Sequence, residues 1–181
     1  MTLSLEYVAG LFDGEGWVRV QTPGVHVDGS HWNGEQSPRV FPTYQVIAGI
    51  AITHKPLMVE IYERFSGTLH GDDHYRRKDP ANRTIWRWHV SSKKAQAFLS
   101  AICPHTVLKR DQIELAIALC AHIAEHKCAM VGSSPTLAFK IEINAHRKAL
   151  AERIAALKKV NFNLPVDHGA TTPYHYSSGE E

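Results

Sequence analysis

Cysteine is scarce here: three in 181 residues. An odd number argues against a disulfide framework and fits an intracellular, reducing compartment. No apolar run approaches the length needed to span a bilayer. The first residues are apolar, but they include Glu6 and lack a basic start, so no secretory leader is expected. Neither sign of charge is in excess. Twenty Lys+Arg against eighteen Asp+Glu leave +2, with twelve His neutral. A nucleic-acid partner is therefore not announced by bulk charge, and any such argument rests on where the cations lie. Internal repeats and low-complexity blocks are absent. No glycine cluster follows a strand and opens a helix, which excludes the dinucleotide and P-loop phosphate cradles. The glycines of this chain do the reverse. A hydrophobic fraction of 44% is ordinary for a globular protein, and the length suits one domain with a real core.

What is present begins at Tyr7-Val8-Ala9-Gly10-Leu11-Phe12-Asp13-Gly14-Glu15-Gly16-Trp17. Val8, Leu11 and Phe12 stand at i, i+3, i+4 and form one apolar stripe of a short helix. Ala9, Gly10, Asp13 and Gly14 give the other side almost no bulk, so that face invites close approach of a second backbone. Gly14 and Gly16 stop the helix, glycine being favoured just past a helix end. Glu15 is left projecting there.

Period-2 stretches follow. In Trp17 to Thr22, Val18 and Val20 face one way and Trp17, Arg19 and Gln21 the other. The Gly/Pro/His/Asn-rich segment 23–38 predicts a long loop or hairpin tip. Tyr44 to His54 predicts an apolar strand, with Pro56 in the first turn of a helix to Phe65. Gly67 to Arg77 and Arg83 to Ser91 form a second hairpin around residues 78–82. Helices are expected over Lys93 to Ile102, Asp111 to Glu125 and about Thr136 to Val160. In Arg83 to Ser91, Trp86, Trp88 and Val90 share a face, opposite Ile85, Arg87 and His89. Such an antiparallel sheet sets helices on its greasy face. Its polar face collects Arg19, Gln21, Arg87 and His89, with Arg39, Arg76, Arg77, Lys78 and Arg83 at strand ends. Side chains of these types meet base edges in a major groove, while cations at strand ends meet phosphates. The plain alternative is a solvated sheet face, and Asp72 and Asp73 count against a uniformly positive surface.

The segment Val8 to Gly16 resembles the nine-residue signature of the LAGLIDADG homing endonucleases. It matches at Ala9, Gly10, Leu11, Asp13 and Gly16, and Glu15 stands for the usual second Asp with its carboxylate kept. The downstream order follows that family's plan through about Leu119. The resemblance implies an α+β, αββαββα fold with a curved antiparallel four-stranded sheet, extended here by C-terminal helices. One domain over residues 1–164 is expected (core about 1–119, helical extension 120–164), then an unpacked tail over residues 165–181. No second copy of the signature is found, so the resemblance implies a homodimer built on Ala9, Gly10 and Asp13. A surface acid at the helix end is the plainer role for Asp13.

Two such helices crossing at a two-fold axis bring both Glu15 carboxylates together, where a divalent cation such as Mg²⁺ relieves their repulsion. One site per subunit then gives a double-strand break in a long pseudo-palindromic double-stranded DNA. The resemblance adds the Gly14 carbonyl as a metal ligand, Lys109 as an active-site lysine and His54 as a residue positioning water. Arg110 rivals Lys109. His54 takes its role only if its strand ends or twists before it. Within the same fold, a non-cleaving intron RNA maturase or DNA-binding regulator is the alternative. A zinc peptidase is more remote: His122-Ile123-Ala124-Glu125-His126 spells H-x-x-E-H between Cys120 and Cys128, with only Glu142 or Glu152 as downstream third ligands.

Overall fold

The computed structural model describes residues 3–22, 43–72, 83–126 and 136–162. The expected loop 23–38, the hairpin tip 78–82, the tail 165–181 and the candidates Arg39, Arg76, Arg77 and Lys78 lie outside the described residues. Asp73 and Cys128 do too.

Helix α1, Leu5–Glu15, is opened by Ser4, whose hydroxyl accepts the Tyr7 N–H at 3.2 Å. Val8, Ala9 and Phe12 are fully buried. Ala9 therefore does not lie on the bare side. At 3.6 residues per turn it stands next to the Val8–Phe12 stripe, and the chain's own core takes its methyl group. The exposed side is formed instead by Tyr7, Gly10 and Gly14. The helix ends at Gly16, as expected. Gly16 is extended (φ −81°, ψ 162°), not left-handed, and its N–H caps the Phe12 carbonyl. Glycine is required there because the Phe12 ring fills the space a Cβ would take.

The chain continues as β1 (Gly16–Gln21), β2 (Gln45–Ile52), α2 (Lys55–Phe65), β3 (Thr68–Asp72), β4 (Ile85–Ser91) and α3 (Ser92–Ile102). This is the expected αββαββα order. The four strands form one antiparallel sheet in the order β1-β2-β4-β3. A 3-10 turn, Cys103–His105, leads to α4 (Arg110–Glu125) and α5 (Leu137–Phe162). No helix among the described residues is long and apolar enough to cross a membrane.

Register assigns the faces, since residues paired across antiparallel strands point to the same side. One face carries Val18, Val46, Ala48, Ile50, Trp88 and Val90, all buried. Against it pack Phe12 of α1 and Phe98 of α3, whose rings meet edge-to-face at 5.5 Å; Phe98 meets Trp88 at 4.9 Å. Trp88 keeps its one polar atom satisfied by donating Nε1–H to the Ser66 carbonyl at 2.6 Å. Each large apolar side chain so buried contributes about 1.5–3 kcal/mol, which ties α1 and α3 rigidly to the sheet. Ile113, Ala116, Leu119 and Cys120 of α4 and Leu150 and Ile154 of α5 join the same cluster. A boundary at residue 119 thus falls inside α4. Gln112, nearly buried, donates across to the Ile154 carbonyl at 3.3 Å and fixes α5 on α4.

Candidate functional site

The last turn of α1 is joined to the start of α4 by two residues that cap each other's helices. A helix leaves its last four carbonyls and first four N–H groups unpaired. The Lys109 ammonium donates to the Phe12 and Asp13 carbonyls at 2.8 and 2.7 Å. In return, the Asp13 carboxylate accepts the N–H groups of Val107 (2.7 Å), Leu108 (3.2 Å) and Lys109 (3.0 Å). A cation at a helix C-terminus and an anion at an N-terminus both oppose the local dipole charge. Burial pushes the Lys109 pKa below its usual value, against the opposing pull of Asp13 and Glu15. Asp13, expected at a junction with a second chain, spends both oxygens inside its own.

Glu15, one residue beyond the clasp, is exposed. No hydrogen bond or salt bridge engages its carboxylate among the described residues. Space around Gly14 is open: a Cβ there would have no neighbour within 4 Å. With Phe12 and Asp13 occupied by Lys109, the oxygens available at this helix end are the Gly14 carbonyl and the Glu15 carboxylate. Both are hard donors of the kind that suit Mg²⁺ or Ca²⁺. His54 lies at the same end of the sheet, since Gly16 pairs with Ile50 and β2 ends at Ile52. The strand does end before His54, as its expected role required. Its Nδ1, however, caps α2 by accepting the Leu57 N–H at 3.2 Å, leaving only Nε2 for other work.

The polar side of the sheet starts from this end. Register places Trp17, Arg19 and Gln21 of β1 beside Gly49, Ile47 and Gln45 of β2, then His89 and Arg87 of β4, then Thr68 and His70 of β3. Arg19, Gln21, Arg87 and His89 therefore share one face, as their alternation implied. Arg83 is exposed two residues before β4. Arg87 is engaged by Asp72 at 3.1 Å. Burial, then the nearby His70 and Arg19, lower the His89 pKa, so its imidazole is neutral at pH 7.

No protein-family profile and no curated protein matches the chain. Solved structures do. The homing endonuclease I-CvuI with its target, in the presence of Ca, superposes with a TM-score of 0.59 at 15% identity over 84% of this chain and 80% of that one. The archaeal intron-encoded homing endonuclease I-Vdi141I, complexed with DNA, gives 0.60 at 13% over 84% and 82%. The LAGLIDADG homing endonuclease I-GzeII with its DNA target gives 0.52 at 13%, over 95% of this chain but 55% of its own. The chain has the LAGLIDADG homing-endonuclease fold.

Within that fold, sequence reasoning missed Gln45, Thr68 and His70 on the polar face. The alternation Thr68-His70-Asp72 was visible, but the apolar run of β2 hid Gln45, which only the pairing with Gln21 reveals. The H-x-x-E-H pattern has a different setting from a peptidase site. His122 lies against His126 and against His146 of α5, each at 4.5 Å between ring centres, with the rings tilted by 60° and 37°. Among the described residues, no three His, Cys, Asp or Glu side chains are grouped to hold a metal ion. Glu142 and Glu152 are exposed. Burial pushes the Cys120 thiol up to about 11.

Proposed function

We propose that two copies of this chain form a site-specific DNA endonuclease that breaks both strands of a long pseudo-palindromic target by divalent-cation-dependent hydrolysis. The observation that carries the reading is Glu15: an exposed, unengaged carboxylate at the end of a helix whose outward face is bare at Gly10 and Gly14. One chain offers one such acid, so the site needs the second copy. The neighbours I-CvuI and I-Vdi141I are complexes with DNA, I-CvuI in the presence of Ca or Mg, which supports this class of partner and cation.

In this reading, Arg19, Gln21, Arg87 and His89 meet base edges, and Arg83, with Arg39, Arg76, Arg77 and Lys78, meets phosphates. Glu15 and the Gly14 carbonyl of each chain hold the cation. When bound, Mg²⁺ supplies an acidified water and charge relief at the scissile phosphate and the leaving 3′-oxygen. The chain's own part is positional. Lys109 fixes the end of α1 with two of its three N–H groups, so Glu15 is presented from a rigid terminus, and its third N–H remains for a phosphate oxygen or water. His54 Nε2 serves as a water-orienting group on the same side. A non-cutting regulator or maturase on this fold would gain nothing from two like charges converging at its axis.

Incubating the protein with a randomised double-stranded library and Mg²⁺ tests the reading and finds the site. Glu15→Gln should abolish cutting of the selected target and leave its binding intact. Undiminished cleavage by that variant would remove Glu15 from the chemistry.

A further inference from the structure

On the polar face, the ring of Trp17 lies across the backbone of Gly49. The two are cross-strand partners, and a Cβ on Gly49 would come within 2.6 and 2.9 Å of the Trp17 Cζ2 and Cε2 atoms. Only a residue with no side chain lets the indole settle flat at this point of the sheet. The Arg19 guanidinium, two residues along on the same face, stands over that ring, its Cζ 5.3 Å from the ring centre. Trp17 is half-buried and Arg19 exposed, and no salt bridge engages Arg19 among the described residues. From the flank, α5 brings Lys158 close enough for the two cations to feel each other.

We infer that Trp17, seated on Gly49, is a positioning residue for Arg19, restricting its guanidinium to an arrangement that reads one guanine in each half of the DNA target. The inference rests on the endonuclease reading. Its chemistry is that of the planar guanidinium. A ring against one face leaves the in-plane N–H edge of the guanidinium free, and that edge matches the O6 and N7 acceptors of guanine in the major groove. An unsupported arginine samples many rotamers and reads a base less sharply. Position follows from strand geometry. Arg19 is three strand steps past Gly16, about 10 Å at about 3.3 Å per residue, or roughly three base pairs outward from the acidic helix end.

The test is cleavage profiling of a randomised target library with wild-type protein, Arg19→Ala, Trp17→Leu and Trp17→Phe, with a thermal melt for each. Arg19→Ala should flatten a guanine preference by about tenfold at one base pair per half-site. Trp17→Leu should weaken preference at that same base pair by about two- to fivefold, the worth of an exposed cation–π contact. Trp17→Phe, which keeps a ring, should restore most of it. The thermal melt should show that each variant is folded at the assay temperature. An unchanged profile in Trp17→Leu, or a loss spread evenly over all positions, overturns the positioning role and leaves the endonuclease reading standing. Wild-type protein that neither cuts nor retains any DNA overturns both.

Discussion

Asp13 and Lys109 cap each other's helices across 96 residues of chain: the Lys109 ammonium lies 2.7 Å from the Asp13 carbonyl, and the Asp13 carboxylate accepts the Lys109 N–H at 3.0 Å. A lysine in a catalytic neighbourhood invites a purely chemical assignment, but this one also closes a helix. Removing its partner separates the two roles. Asp13→Ala leaves three N–H groups of residues 107–109 without their acceptor while Glu15 and Lys109 remain. It should lower stability by about 1–2 kcal/mol, the range for losing a helix-capping side chain, as read by urea unfolding at pH 7. Cutting should fall with it, because the helix end that presents Glu15 loosens. A variant as stable as wild type would mean that those bonds do not hold α1 to α4.

Gly10 tests the assembly independently. In one chain a Cβ at Gly10 meets nothing within 4 Å, so a larger residue strains no fold. Gly10→Leu should still fold as a single chain, since leucine gains up to about 1 kcal/mol of helix propensity over glycine. If a second α1 packs on that face, the same variant should sediment as a monomer and lose double-strand cutting. A stable dimer would refute the packing. Ala9→Leu should behave oppositely, destabilising the monomer itself because Ala9 is fully buried.

The contrast between Ala9 and Gly10 marks what the sequence could carry. The helix-to-strand passage at Glu15-Gly16-Trp17 and the αββαββα order were legible, because apolar spacing switches there from a helical period to a period of two. Which side of α1 Ala9 takes was not, since small residues are compatible with either face and only the fit against β2 and α3 decides. The polar face was half legible. β1, β3 and β4 alternate, whereas the apolar run of β2 hides Gln45 until its pairing with Gln21 assigns it outward. The Asp13–Lys109 clasp and the contact of His146 with His122 join residues far apart in the chain. No local pattern encodes them, so they became visible only with the tertiary structure.

Asp72 faces the same surface as Arg87 and engages it at 3.1 Å. The Arg87 side chain is 42% exposed and that of Asp72 29%, so the pair is worth at most about 1 kcal/mol of stability. Its larger effect is on the partner, since one negative charge repels a phosphate backbone and holds back one arginine. Asp72→Asn should tighten binding to arbitrary duplex DNA by about two- to fivefold at low salt and steepen the dependence of binding on salt concentration, with little change in melting temperature. Fluorescence anisotropy over a salt series measures both. An unchanged affinity would argue that nucleic acid does not approach this end of β3 and β4.

The imidazoles between α4 and α5 predict an acid sensitivity of the C-terminal helix. Burial, then the charges of His126, His146 and Arg147, lower the His122 pKa, with Glu125 opposing; the buried His122 Nδ1 has no hydrogen-bond partner. A base whose pKa is lower in the folded than in the unfolded chain takes up its proton more readily when unfolded. Its contribution to stability is therefore complete above the unfolded value of about 6.5 and is lost as pH falls through the folded one. Carboxylates titrate mainly below this window. Thermal melts from pH 7.5 to pH 5 should then show a decline that begins near pH 6.5, and His122→Gln should flatten it. Amide exchange along α5 should accelerate over the same interval in the wild type alone, because α5 carries His146 and Arg147 against the charge that His122 gains. A variant whose melting curve tracks the wild type at every pH would place the sensitivity in some other group and leave the adjoining rings as packing only.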